Sequence, residues 1–246
     1  MDTFRNSPPV SRTFAALIFV FSMINRLQPA VGYRLMFAWP FILKKFPEVW
    51  RIFTSFMLAY STGIILTPYL IWRFGGTLER DCVRLRSASF LVYLLFVGSV
   101  ILVINSYIWM APTFISPMEL AILWTYAQNN RDSITSIMGI NIPAKYLPAA
   151  SLFMTLIVSG PEEMKLEATG IPAAHLWEFL TNYWPTYGGG INLVPTPGFL
   201  IRWFHGSEAR DRTRVYRADT SELANSAFRV GNSWGQRGLG RRLGSD

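Results

Sequence analysis

The 246-residue chain carries 23 Lys and Arg against 15 Asp and Glu, and 51% of its residues are hydrophobic while only 15% are charged. A mean hydropathy of +0.26 is too high for a soluble fold of this size. The single Cys82 excludes an intrachain disulfide, and one Cys with two His excludes the usual tetrahedral zinc site. Neither a metal nor a cofactor is expected.

The first apolar run, Thr13 to Asn25, is only 13 residues long. As a helix it would measure about 20 Å, against a hydrocarbon core of about 30 Å. The run therefore predicts a first transmembrane helix that ends early or distorts the bilayer. A signal peptide is the alternative, but Arg26, Leu27 and Gln28 follow where a cleavage site requires small residues.

Two long uncharged runs predict the next two spans. Ile52 to Trp72 has 21 residues and Ser87 to Met118 has 32, whereas a span needs about 20. The second of these runs predicts a helix through Trp109. The loop between the spans is Arg73 to Arg86, and Ala111 to Pro117 is predicted to be a turn.

The segment that precedes the second span, Leu27 to Arg51, interleaves aromatic side chains with Arg and Lys. This composition is typical of a chain that lies at the membrane surface, with rings at the level of the headgroups and cations reaching water. We therefore expect a surface loop here.

Leu120 to Gly160 places Arg131 and Asp132 between two uncharged runs of 11 and 12 residues. A charge inside a bilayer costs roughly 3 kcal/mol or more, so it normally faces a bundle interior or a watery cavity. On a fourth helix, the polar residues here would form a stripe along one side. Its members are Gln128, Asn130, Arg131, Asp132, Thr135 and Ser136. Three interpretations stay open, namely an interhelical hydrogen-bond cluster, a groove that contacts substrate, and a loop.

Tyr146 to Pro161, with 16 uncharged residues, predicts a short fifth span, and a sixth apolar run begins near Ala168. From Arg202 the chain has nine Arg, no Lys and many Gly and Ser, which predicts disorder. The sequence thus predicts an all-α membrane protein with a six-helix transmembrane domain over residues 1–204 and a disordered tail over 205–246. The even number of spans puts both termini on one side, and we expect that side to be the cytosol.

Catalytic chemistry finds little support in the sequence. An intramembrane serine protease needs a Ser nucleophile with small neighbours and a His within reach. His175 is available, but Ile157 stands where a Gly-x-Ser-Gly motif around Ser159 needs its first Gly. Gly170 and Ala174 form a small-xxx-small pair, for which close helix packing is the usual reason. A hydrogen-bonded core or interface histidine is the alternative for His175.

Several motifs of this sequence resemble those of the derlins, which are rhomboid-like pseudoproteases of the endoplasmic reticulum. The resemblance extends from Pro8 almost to the C-terminus. It includes Trp50-Arg51, which is similar to the WR motif of the first luminal loop, and Tyr126 to Asp132, which is similar to the fourth-helix signature. Its other parts are Tyr146-Leu147-Pro148, Ala174-His175-Leu176, Phe179-Leu180, and the run from Pro185 through Gly189-Gly190 and Thr196-Pro197 to Phe199-Leu200.

The resemblance implies a six-helix rhomboid-like bundle without catalytic activity that assists the retrotranslocation of misfolded proteins to the cytosol in endoplasmic-reticulum-associated degradation. It implies a membrane ubiquitin ligase as a partner, and homo- or hetero-oligomers are compatible with it. The tail is similar to the SHP box by which derlins bind the AAA ATPase valosin-containing protein. Its residues here are Trp234, Gly235, Leu243 and Gly244. Two positions depart from the family pattern. Ala174 stands where the family's Gly-xxx-Gly motif has its second Gly, and more residues separate Trp234 from Leu243 than in the compact SHP box.

Short first and fifth spans would create hydrophobic mismatch, which a bilayer relieves by thinning. A polar stripe would offer hydrogen bonds to a client backbone that lipid cannot satisfy. A multi-pass transporter or channel is the main alternative, without an inverted repeat to support it. An active rhomboid protease is a weaker one. The basic tail also fits anionic lipid or RNA, although nucleic acid is not the expected partner.

Overall fold

The computed structural model describes residues 7–42, 48–59, 63–81, 87–137, 140–184, 194, 196–200 and 203–204. The chain divides into two compact units, Met1–Thr196 and Pro197–Asp246. In the second unit, the N–H of Leu200 donates to the carbonyl of Pro197 at 3.1 Å. The expected disordered tail, 205–246, lies outside the described residues, and the domain boundary near residue 204 stays a prediction.

Helix α1 spans Pro9–Leu27 and has 19 residues, so the prediction of a short first helix is wrong. It begins early because the buried carboxylate of Glu79 accepts the N–H groups of Val10 (3.2 Å) and Ser11 (2.8 Å). The first N–H groups of a helix have no partner within it, and Pro9 has none to satisfy. An apolar window cannot detect such a start.

The predicted surface loop contains short helices. These are α2 (Pro29–Leu35), α3 (Trp39–Ile42) and α4 (Trp50–Thr54), and a 3-10 turn over Ser55–Met57 continues α4. Ile52 therefore belongs to this segment, and the prediction of one helix from Ile52 to Trp72 is wrong because helix is interrupted after Met57. The run is uncharged, but its first six residues form the end of α4 and the 3-10 turn that follows it.

The next helical segment runs from Gly63 to Asp81. It consists of α5 (Gly63–Leu70), a π-helical turn (Ile71–Gly75) and α6 (Gly76–Asp81). Helix therefore continues into the stretch predicted to be a charged loop from Arg73. The reason is burial, because Phe74 is 1% exposed and Leu78 is fully buried, so apolar contacts hold the segment despite its charges.

Helix α7 covers Ser87–Ile108 and has 22 residues, which confirms the helix predicted through Trp109. By length and composition, α1 and α7 are the two helices of the described chain that are apolar and long enough to cross a membrane. The helical content confirms the predicted class, and the count of six spans stays a prediction.

Helix α8 (Ile115–Asn129) lies at the centre of the fold. It starts within the predicted turn, at Ile115, and most of its side chains are buried. It contacts α5, the π-helical turn and α7, and also the three later helices. Helix α8 has 15 residues, and its side chains are buried because other helices surround it.

The predicted fourth helix does not continue past Asn129. The chain turns at Arg131 and Asp132 and forms an antiparallel hairpin of β1 (Ile134–Ile137) and β2 (Ile140–Pro143), in which Thr135 pairs with Ile142. A helical stripe through this stretch is therefore wrong. The segment is rich in β-branched Ile and Thr, which favour strands over helices.

The remaining helices follow the hairpin closely. A 3-10 turn over Ala144–Tyr146 leads into α9 (Leu147–Ser159), α10 (Pro161–Ala168) and α11 (Gly170–Glu178), and a π-helical turn over Phe179–Tyr183 ends the series. Helix α9 has 13 residues, so the predicted fifth helix is present and short. The predicted sixth begins two residues after Ala168, at Gly170.

Candidate functional site

Arg51 is buried at the start of α4, with 4% of its surface exposed. Its guanidinium donates to the backbone carbonyls of Tyr33 (2.7 Å) and Met36 (2.8 Å) and to the carboxylate of Glu48 (2.5 Å). The ring of Phe41 lies 4.5 Å from the guanidinium carbon. Arg51 therefore joins α2, α3 and α4, because a planar guanidinium can satisfy several acceptors at once.

Trp50, the residue before Arg51, is 54% exposed. The two residues of the WR motif thus occupy different environments, although they are adjacent. Arg51 bonds to the backbone and to a carboxylate inside the segment, whereas the ring of Trp50 is exposed. This division is not visible in the sequence, because both residues suit a membrane surface equally well.

The predicted polar stripe is divided between a helix end, a turn and a strand. Arg131 is exposed, and its guanidinium donates to the side chain of Gln128 at 3.0 Å. Among the described residues no ion pair joins Arg131 to Asp132, which is also exposed. The prediction of a buried ion pair is therefore wrong, and the loop that the sequence left open is the interpretation that fits.

The other members of the stripe stabilise the turn. The Asn130 side chain donates to the carbonyl of Tyr126 at 3.2 Å, and the hydroxyls of Tyr126 and Thr135 lie 3.1 Å apart. Thr135 is 6% exposed, while Ser136 is half-buried in β1. The hairpin is thereby fixed to the end of α8.

Gly170 lies directly against α8. A Cβ atom at this position would be 2.0 Å from the carbonyl oxygen of Pro117, a distance that no side chain can occupy. Ala174, one turn later, is 1% exposed. His175 is exposed on α11, so a buried core histidine is not what the structure contains.

Ser159 and His175 do not form a catalytic pair in the described structure. Ser159 is exposed at the last position of α9. His175 is exposed on α11. No hydrogen bond connects these two described side chains.

A buried acidic pair was not found by sequence reasoning. Glu119 on α8 is 9% exposed, and Glu167 on α10 is 2% exposed. The hydroxyl of Ser151 on α9 donates to Glu167 at 2.6 Å, and this bond joins α9 to α10. The helices that carry these two acids, α8 and α10, contact each other.

A second buried polar contact joins α7 to the residue between α10 and α11. The amide of Asn105 on α7, which is fully buried, donates to the hydroxyl of Thr169 at 2.8 Å. That hydroxyl donates in turn to the carbonyl of Leu166 at 2.7 Å. The only sequence signal for the acidic pair was that Glu119 and Glu167 interrupt or adjoin apolar runs, and it does not reveal that distant helices bring them together.

The SHP-like box at Trp234, Gly235, Leu243 and Gly244 lies outside the described residues. Its docking on an ATPase is therefore a prediction from the sequence alone. Within the described part of the chain, no group of three or more His, Cys, Asp or Glu side chains is arranged to hold a metal ion.

Comparison with known proteins identifies the family. Residues 7–198 match the model of the Der1-like family. Derlin-1.2 of Zea mays is 30% identical over 216 residues, which cover 86% of this chain and 85% of that protein. Derlin-1 of Mus musculus and Derlin-1 of Homo sapiens are each 28% identical over 253 residues, with 99% of this chain and 97% of each relative covered.

The fold is mostly helical, and two of its described helices are long and apolar enough to cross a membrane. The chain belongs to the Der1-like family, the derlins. The match spans nearly the whole of the first compact unit.

Proposed function

We propose that this chain is a non-catalytic derlin-type factor of endoplasmic-reticulum-associated degradation, which assists the retrotranslocation of misfolded proteins and recruits a cytosolic AAA ATPase. The observation that carries the proposal is the family match over residues 7–198. Its setting is a six-span domain in the endoplasmic reticulum membrane with both termini in the cytosol. A membrane ubiquitin ligase complex is the further partner, and association with other derlin chains is compatible with it.

Two features of the fold support a role in moving polypeptides. Helix α9, at 13 residues, would be about 20 Å long and would favour a thinner bilayer around it. The polar turn at Arg131 and Asp132 would then present hydrogen-bonding groups at the end of α8 to an emerging chain. A client backbone needs such partners because lipid supplies none.

The absence of catalysis is proposed on chemical grounds. A serine nucleophile requires a base within hydrogen-bond reach, and no hydrogen bond joins Ser159 to His175 in the described structure. Ile157 also stands where small neighbours would be needed for an oxyanion site. Binding, rather than bond cleavage, is the activity that these residues suit.

A rescue experiment tests the function. Cells depleted of their own derlins would receive the full chain, and the half-life of one misfolded luminal client and one misfolded membrane client would be followed after translation is blocked. We expect a shorter half-life for at least one client. Equal half-lives with and without the chain, at matched expression and correct membrane localisation, would contradict the proposal.

A further inference from the structure

The β-hairpin after α8 has two strands in the described part of the chain, so each strand has one edge that is not paired within the hairpin. Thr135 of β1 is 6% exposed, and its hydroxyl lies 3.1 Å from that of Tyr126 on α8. Ile134, the residue before it, is 74% exposed. Adjacent residues of a strand point to opposite faces, so β1 is anchored to α8 through one face and open on the other.

The hydrogen bonds of the hairpin identify the backbone groups that face outward. The N–H of Ala144 donates to the carbonyl of Ser133 at 2.9 Å. The ladder register, in which Ile134 lies opposite Pro143, makes these two residues a directly opposed pair. Bonded and non-bonded pairs alternate along an antiparallel ladder, so the N–H and C=O groups of Ile134 and Ser136 point away from β2. Among the described backbone bonds outside the helices and the ladder, none uses these groups.

The two edges of the hairpin differ. The residues of β2 that face outward are Asn141 and Pro143, which lie opposite Ser136 and Ile134. Pro143 has no N–H to offer, and proline is one of the usual means by which proteins protect the edge of a sheet. Strand β1 has the sequence Ile-Thr-Ser-Ile, with no proline and no charge. A further strand can therefore pair with β1 through two N–H and two C=O groups.

The spacing of these groups indicates an extended polypeptide as the partner. Groups on one edge of a strand recur every second residue, about 7 Å apart, and a second extended backbone has the same repeat. Strand β1 has four residues and is about 13 Å long, so a second copy paired here would bury far less than the roughly 1,200 Å² of a stable interface. In strand addition the main chain supplies the affinity. Weak pairing that depends little on sequence suits a client that must later be released.

We propose that the outer edge of β1 binds an extended segment of a client polypeptide by β-strand addition, in which the client backbone pairs with Ile134 and Ser136. Apolar or β-branched client side chains fit beside the exposed Ile134, because such cross-strand pairs stabilise sheets. Proline in the segment opposes pairing, since it lacks the N–H. The assignment of the strand to a client rests on the proposed function. The open edge itself does not.

The first experiment measures strand addition without a client. A fluorescent peptide of alternating Val and Thr would be titrated against the full chain in nanodiscs of zwitterionic lipid. Ser136→Pro is the test variant, because it removes an outward N–H of β1 and no bond of the ladder. Asn141→Pro is the matched control, since Asn141 lies opposite Ser136 and its N–H points to the other edge. A second peptide carries N-methyl groups on its four central nitrogens and so lacks donors on both of its edges.

We expect the peptide to bind the unmodified chain and Asn141→Pro equally, and to bind Ser136→Pro at least about tenfold more weakly, equivalent to about 1.4 kcal/mol. The N-methylated peptide should lose affinity for the unmodified chain to a similar extent. Equal affinities of the two peptides would overturn the proposal, as would equal affinities of the two variants or no binding by the unmodified chain. The comparison of peptides needs no variant, so it decides the matter even if Ser136→Pro does not fold.

The second experiment tests whether a client occupies the edge. Client turnover would be followed in derlin-depleted cells that express the unmodified chain, Ser136→Pro or Asn141→Pro at equal levels. We expect Ser136→Pro alone to lengthen the half-life of the client. Equal half-lives with the two variants would overturn the assignment to a client, and so would a change of oligomeric state in Ser136→Pro alone, because a second copy would then occupy the edge. If the unmodified chain fails to rescue turnover while the peptide binds, the proposed function is wrong and the strand edge stands.

Discussion

Gly170 and Pro117 are in direct backbone contact, because a Cβ atom on Gly170 would lie 2.0 Å from the carbonyl oxygen of Pro117. Helices α8 and α11 can approach this closely only when one of them lacks a side chain. Gly170→Ala must therefore separate the two helices at this point. Overpacking typically costs about 1–3 kcal/mol, and the nearest neighbours here are backbone atoms, which cannot rotate away.

The matched control is Gly198→Ala, because no atom lies within 4 Å of a Cβ at that position. Thermal unfolding of the purified chain in detergent provides the measurement. We expect a lower unfolding temperature for Gly170→Ala and an unchanged one for Gly198→Ala. A Gly170→Ala protein as stable as the unmodified chain would show that α8 and α11 are not packed as described.

The carboxylate of Glu79 is predicted to stabilise the start of α1. Glu79→Ala would leave the buried N–H groups of Val10 and Ser11 without their acceptor, and an unsatisfied buried donor costs about 1–3 kcal/mol. Glu162→Ala, which removes an exposed carboxylate, is the control. Proteolysis of the N-terminal segment in detergent would detect the loss, and equal cleavage rates for the two variants would contradict the capping role.

Arg51 and Trp50 are predicted to affect different properties. Arg51→Met leaves Glu48 without its counter-charge and two backbone carbonyls without a donor, so we expect a loss of stability of about 3 kcal/mol. Trp50→Ala removes a half-exposed ring and should leave stability nearly unchanged while it lengthens the half-life of a client. Unfolding temperature and client turnover would be measured for both variants.

Two controls sharpen this comparison. Lys165→Met breaks an exposed ion pair with the same sequence spacing, for which a cost of about 0.5 kcal/mol is typical. Phe53→Ala removes another exposed ring from α4, where Phe53 is 59% exposed. If Phe53→Ala impairs turnover as much as Trp50→Ala, the effect comes from general membrane contact rather than from Trp50 itself.

The sequence alone predicts helices α7 and α9 well, because each coincides with an uninterrupted uncharged run. It misplaces the start of α1 and the end of α6, because there a tertiary contact overrides local composition. The carboxylate of Glu79 accepts the N–H groups of Val10 and Ser11 and so stabilises the start of α1. Burial of Phe74 stabilises helix in a stretch that contains charged residues.

The candidate site shows the same division. Trp50 and Arg51 were found as a motif, but only their burial separates a structural residue from an exposed one. The polar stripe assumed a helix at Thr135 and Ser136, but both residues lie in strand β1. The buried acids were missed, since Glu119 and Glu167 lie 48 positions apart in the chain and only the packing of α8 against α10 relates them.

The turn after α8 leads to a prediction that differs from the one the sequence suggests. If Arg131 and Asp132 were a buried pair, loss of Arg131 would be severe. Because both are exposed and Arg131 is bonded to Gln128, we expect Arg131→Leu to change stability by no more than about 0.5 kcal/mol. Chemical or thermal unfolding would detect a larger loss, which would favour the buried arrangement.

The functional role of that turn can then be measured separately from folding. Client turnover with the Arg131→Leu/Asp132→Leu variant is expected to slow, since two exposed polar groups near the end of α8 are replaced by apolar ones. Asn141 lies exposed on the neighbouring strand, and Asn141→Leu serves as the control for a simple increase in apolar surface. Normal turnover in the double variant would mean that the turn has no part in handling clients.

The most direct test of the central claim is the arrival of a luminal client in the cytosol. A misfolded luminal protein with a biotin-acceptor peptide, co-expressed with a biotin ligase confined to the cytosol, becomes biotinylated only after it has crossed the membrane. In cells depleted of their own derlins, we expect the full chain to increase the biotinylated fraction and Trp234→Ala to reduce that gain, because the SHP-like box is proposed to recruit the ATPase. A biotinylated fraction that is the same with and without the chain would contradict the account.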